Sequence, residues 1–131
     1  MYCFRLFMLC VIASAVVAPA SAGDFDGTKR LICATVDARD CVRSVDCYRG
    51  LAEEIGAPEF LRIDFEKKII EGPMRTTEII SVEKDERQLL LQGRELDFSW
   101  VLALDRASGR FSGSLTNYEG AFVLFGSCTA L

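Results

Sequence analysis

The side chains with chemical potential in this chain are carboxylates and arginines, because it contains no histidine. That removes the ordinary general base of Ser and Cys hydrolases and the commonest zinc ligand. Paired carboxylates can still hydrolyse a glycosidic bond, one acid protonating the leaving oxygen while the other serves as base or nucleophile. By position the candidates are Asp64, Glu95, Asp97 and Asp105. All four fall at strand ends or turns, where a carboxylate ordinarily accepts backbone hydrogen bonds. Nothing around them promises an apolar pocket that would set one pKa apart from another. Arg39, Arg43 and Arg49 form a candidate interaction loop able to grip a carboxylate or phosphate. Asp37, Asp40 and Asp46 interleave with them and nearly cancel their charge. No set of residues reads as catalytic, metal-ligating or cofactor-binding.

A second candidate group is aromatic: Phe98, Trp100, Phe111, Phe122 and Phe125. An eight-stranded barrel can just enclose a small ligand, so these rings either line a cavity or fill the core. Core filling is the more common use of such rings. Trp100, the chain's single Trp, stands in the clearest alternation of the sequence, Asp97 to Asp105. There Phe98, Trp100, Leu102 and Leu104 share one face of a strand.

The surrounding pattern supplies the elements that must hold these residues. Arg30 to Val36 reads as a first strand with Cys33 inside it. Asp37 to Gly50 fits either a short helix or a disulfide-bridged loop. A helix would separate Cys41 from Cys47 by about 9 Å of rise, too far for a bond, whereas a hairpin turning at Arg43 to Val45 brings them together. Leu51 to Gly56 suits one helical turn stopped by its glycine. Phe60 to Phe65 and Lys68 to Glu71 flank a turn at Glu66 and Lys67. Thr76 to Val82 pairs with Arg87 to Gln92 around a charged turn, and Gly93 with Arg94 breaks the chain before Asp97. Arg110 to Tyr118 follows with Phe111, Gly113 and Leu115 inward. The apolar run Ala121 to Gly126 suits a strand buried on both sides. Asp64 and Asp105 each enter a hairpin turn, as a turn-capping Asp does. The expected fold is all-β: about eight short antiparallel strands, as a small meander barrel or a two-sheet sandwich, with one disulfide-bearing loop or short helix after the first strand.

Residues 1–22 read as a secretory signal peptide. Arg5 precedes an apolar run from Leu6 to Ala18, too short to span a bilayer, and Ala20-Ser21-Ala22 offers a cleavage site. Residues 23–131 then form a single β domain. Loss of Arg5 takes the formal charge from −4 to −5. Nucleic acid and acidic membrane surfaces are therefore poor partners, and no membrane span remains after signal removal. Cleavage also leaves four cysteines, which an oxidising compartment would pair. In a barrel the first and last strands are neighbours, so the expected bonds are Cys33–Cys128 and Cys41–Cys47.

The ending Gly120-x-Phe-x-x-Phe-Gly-x-Cys-Thr129, with four mature cysteines and Phe60-Leu-Arg-Ile-Asp-Phe65, resembles uncharacterised small exported bacterial proteins. That resemblance implies export and assigns no site. Lipocalins share the eight-stranded outline, but their Gly-x-Trp belongs near the first strand, far upstream of Trp100. The sequence thus leads to an exported, non-enzymatic binding or interaction module for an unknown protein or small ligand, periplasmic if the cell has an outer membrane. A carboxylate-dependent hydrolase and a carrier of a small apolar ligand are the alternatives.

Overall fold

Period-two alternation builds a strand when alternate side chains have somewhere dry to go, and here eight strands share one interior. The computed structural model describes residues 23–131, so the expected signal peptide lies outside the described residues. The strands are β1 (Leu31–Val42), β2 (Tyr48–Gly50), β3 (Phe60–Asp64), β4 (Ile69–Glu71), β5 (Thr76–Lys84), β6 (Gln88–Glu95), β7 (Phe98–Asp105), β8 (Arg110–Thr116) and β9 (Gly120–Ala130). Every pairing is antiparallel and, β2 aside, each strand pairs with the next until β9 returns to β1. That closure makes an eight-stranded barrel and decides against the sandwich. It also leaves the terminal strands without the open edges that invite aggregation.

One edge of β1 serves two partners. Residues 31–34 pair with β3, and residues 38–40 pair with β2. Between them the register against β9 shifts, from Thr35 opposite Gly126 to Asp37 opposite Phe125, so Val36 bulges outward. A bulge of this kind bends a strand and lets a long one change partners. The first strand consequently runs to Val42, six residues beyond its expected end.

Inward residues follow the alternation: Leu31 and Cys33 from β1, Leu61 and Ile63 from β3, Leu89 and Leu91 from β6. Trp100, Leu102 and Leu104 come from β7, Phe111 from β8, and Leu124 and Cys128 from β9. Two strand glycines make room for rings. Gly93 lies opposite Trp100, and a Cβ there would collide with the indole. Gly126 lies opposite Phe111, where a Cβ would meet both that ring and the carbonyl of Ala34. Neither glycine turns the chain, so the expected break at Gly93 is corrected: β6 continues through it to Glu95, because the indole occupies the space a side chain would need.

Cys33 lies opposite Cys128 across the closing seam, and the two are bonded. A second bond joins Cys41 to Cys47. The described residues contain no α-helix. Leu51 to Gly56 makes the single expected turn, too short to count as a helix, with Ile55 N–H donating to the Leu51 carbonyl at 3.3 Å, Ala57 N–H donating to the Ala52 carbonyl at 2.8 Å, and Gly56 at φ 77° stopping it. Buried Ala52 and Ala57 anchor it to the barrel.

Tight polar turns and residues 23–30 close one end of the barrel. Phe25 packs on the core, and Lys84 Nζ donates to the Asp26 carbonyl at 2.9 Å. Asp64 accepts from Lys67 N–H at 3.0 Å, and Asp105 accepts from Ser108 N–H at 3.1 Å. The repeated Asp before a hairpin is thus a repeated turn cap. The Ser108 hydroxyl, with the backbone N–H groups of Ala107 and Ser108, holds the Asp105 carboxyl below the usual carboxylate range.

Candidate interaction surface

The barrel interior is nearly full. A cavity of about 60 Å³ remains, with Trp100, Phe111, Leu61 and Leu124 among its walls and Pro58 at its margin. A site that buries a small molecule ordinarily offers about 300–1,000 Å³. Trp100 is only 8% exposed, and its indole N–H donates to Thr77 Oγ1 at 3.1 Å. The Thr77 hydroxyl in turn donates to the Arg94 carbonyl at 2.9 Å. Trp100 and Phe111 are therefore core residues. Phe98 and Phe122 are half-buried and tilted against each other, ring centroids 5.8 Å apart. Phe125 corrects the expectation of an inward aromatic: on β9 its phase matches Val123 and Ser127, and it is 43% exposed. The apolar run around it concealed that phase.

The four candidate acids are divided between the two ends. Glu95 and Asp97 lie at one end, Asp64 and Asp105 at the other. Asp97 and Asp105 are separated by the length of β7, about 26 Å at 3.3 Å per residue, and so do not form a pair. Asp64 is buried, capping its turn, with Arg30 Nε 3.4 Å from its second oxygen. Glu95 lies 3.8 Å from Arg75 Nη1.

Two of the three candidate arginines converge on one carboxylate. Arg49 Nε donates to Asp37 Oδ1 at 3.1 Å, and Arg39 Nη2 donates to Oδ2 at 3.4 Å. Partial desolvation raises the Asp37 pKa, but the hydrogen bonds from Arg49 and Arg39 outweigh it, and the group lies below the usual carboxylate range. Arg43 is separate from this group, at the tip of the disulfide-closed hairpin between β1 and β2.

That hairpin belongs to an end of the barrel that the sequence reading did not single out. Loops 43–47, 51–59, 72–75, 96–97 and 117–119 all emerge there, since β1, β4, β6 and β8 run toward this end and β3, β5, β7 and β9 run away from it. Their tips are apolar. Met74 is 90% exposed, Tyr118 82%, Leu96 70% and Val45 63%. At the opposite end the corresponding turns present Glu66, Lys67, Asp85, Glu86, Ala107 and Ser108.

Side chains tie these tips into one rim. Asn117 Nδ2 donates to Asp97 Oδ2 at 2.9 Å, joining the 96–97 and 117–119 turns. Asn117 Oδ1 also accepts the backbone N–H groups of Glu119 and Gly120, which fixes the turn presenting Tyr118. The Arg75–Glu95 pair brings the Met74 turn beside Leu96. Val42, next to the disulfide, pairs with Gly120. Leu96 has φ 52°, in the left-handed region that a bulky side chain occupies at a cost of about 1–2 kcal/mol and that Gly or Asn fills more easily. The two-residue loop between Glu95 and Phe98 requires a positive φ at its first position, and the chain places an exposed leucine there instead of the Gly or Asn that such loops favour.

A shallower feature lies on the outer wall, an open depression of about 500 Å³ where Val36, Ala103 and Phe125 meet Arg87 and Arg110. Comparison of the chain with protein-family models, with curated proteins and with solved structures returned no match.

Proposed function

We propose that this chain is an exported, non-enzymatic binding module that holds a protein partner on the rim formed by loops 43–47, 51–59, 72–75, 96–97 and 117–119. The observation that carries this reading is the asymmetry of the two ends. Turns of a water-facing domain can be polar at no cost, as those of the closed end are, and contiguous exposed apolar groups mark interaction sites. Tyr and Met add to the case, since large, adaptable side chains supply contact area at protein interfaces. Two disulfides in so small a domain favour an oxidising compartment, hence export, and the periplasm where there is an outer membrane. The nearly filled interior weighs against an apolar-ligand carrier, and the division of the candidate acids weighs against a carboxylate hydrolase that uses Asp97 with Asp105.

Leu96→Gly tests the reading because it relieves the backbone while deleting an apolar tip. Protein expressed from the full chain is immobilised through a C-terminal tag, since Leu131 lies at the closed end with its N–H on the Arg30 carbonyl. Wild type and variant then meet the secreted and envelope fractions of the source cell. The variant should melt higher, by the equivalent of about 1 kcal/mol, and retain at least tenfold less of the wild type's partner. Undiminished retention would remove the rim from the account.

A further inference from the structure

The rim has a charge as well as a texture. Its five loops, residues 43–47, 51–59, 72–75, 96–97 and 117–119, carry six carboxylates: Asp46, Glu53, Glu54, Glu59, Asp97 and Glu119. Against them stand two guanidiniums, Arg43 and Arg75, for a net charge of −4. At the closed end, residues 23–30, 65–68, 85–87 and 106–109 carry five acids and six bases, and the turn-capping Asp64 and Asp105 beside them bring the net charge to −1. Most of the mature chain's excess negative charge is therefore gathered around its exposed apolar tips, and the barrel is electrically polarised along its axis.

Resting on the rim as the binding face, we infer that the partner is a protein with a basic surface surrounding apolar recesses. Met74, Leu96 and Tyr118 enter the recesses, and the carboxylates meet lysines and arginines around them. Apolar contacts at the centre of an interface supply most of the affinity, while a charged surround steers the encounter and excludes like-charged surfaces. The same charge argues against two other occupants. A second copy docked rim to rim would set −4 against −4, and an anionic bilayer would repel the end that has to insert.

Two of the tips sit on turns held by specific bonds. Val45 rides on a hairpin closed by Cys41–Cys47, and Tyr118 rides on a turn fixed by Asn117. Turns fixed in advance lower the ordering cost of binding.

The experiment compares the wild-type protein, immobilised by its C terminus, with two variants against the same secreted and envelope fractions. One variant reverses the rim charge, with Asp46→Lys, Glu53→Lys and Glu59→Lys, leaving Glu119 in place because it accepts the Tyr118 hydroxyl. The other, Leu96→Gly with Tyr118→Ser, removes two anchors. Circular dichroism and melting temperature verify folding of both. The inference expects a retained partner of net positive charge, retention reduced at least tenfold by either variant, and elution of wild-type complex when salt rises from about 50 to 500 mM, where the screening length shrinks to a few Å. Vesicles of phosphatidylcholine, with and without phosphatidylglycerol, should not bind.

If charge reversal and salt leave retention unchanged while the anchor variant abolishes it, the rim stands and the basic partner is refuted. A retained partner of net negative charge, or binding to either vesicle, refutes the basic protein in the same way. If neither variant alters retention, or wild type retains nothing, the rim itself is refuted as the binding face.

Discussion

Replacing Cys33 and Cys128 together by alanine should cost about 4–5 kcal/mol of stability, the chain-entropy value for a bond that closes nearly the whole domain. The two cysteines are 95 residues apart in sequence and directly opposite each other where β1 meets β9, the seam that turns the sheet into a barrel. Removing the bond frees the unfolded chain to expand and leaves that seam held by backbone hydrogen bonds and packing. Against the 5–15 kcal/mol typical of a small domain, the loss approaches complete unfolding. Replacing Cys41 and Cys47 should cost about 2 kcal/mol, because their loop spans only six residues. Urea denaturation of the two double variants measures the difference. Equal losses would mean that the barrel closes without help from its long-range bond.

Trp100→Ala is expected to cost about 3–5 kcal/mol. The indole fills the space above Gly93, borders the small cavity within the barrel, and donates its N–H to Thr77. Alanine would enlarge that cavity and uncover Gly93 on the neighbouring strand. Trp100→Phe should recover more than half of the loss, since a benzene ring still covers the glycine and only the hydrogen bond to Thr77 is gone. Melting temperatures of both variants provide the check. A loss below about 1 kcal/mol for alanine would show that the indole is not packed as described.

Much of this architecture can be read from the chain. The alternation from Asp97 to Asp105 is the pattern of β7, and four cysteines in a chain of short strands point to a closing bond between first and last. The failures have physical causes. Gly93 resembles a turn because isolated glycines often mark one, yet here it yields space to a ring two strand positions from the real turn. Once the break is placed at Gly93, Leu96 falls at a strand entrance and its exposure is hidden. Tyr118 is similarly absorbed into the end of a strand, although β8 stops at Thr116 because Asn117 begins a side-chain-capped turn. Phe125 lies in a run apolar on both faces, so alternation cannot assign its side. The signal that would have found the rim is an apolar residue inside a two- or three-residue turn, as in Glu95-Leu96-Asp97 and Asn117-Tyr118-Glu119. It requires knowing the turns first, and those depend on the register of the whole barrel.

Arg39, Arg43 and Arg49 illustrate the complementary limit. Their clustering is visible in sequence, but only pairing across β1 and β2 reveals that Arg39 and Arg49 converge on Asp37. Their charge is largely spent in holding the β1–β2 ribbon, and Arg43 alone of the three reaches the rim.

The central claim is that the apolar rim contacts the partner, and hydroxyl-radical footprinting of the free and partner-bound protein tests it most directly. Met74 and Tyr118 are exposed, oxidisable and at the rim, while Phe125 is exposed on the outer wall. Binding should lower oxidation of Met74 and Tyr118 several-fold and leave Phe125 unchanged. Protection of Phe125 with Met74 and Tyr118 still fully oxidised would contradict the account and move the binding face to the outer depression beside Val36.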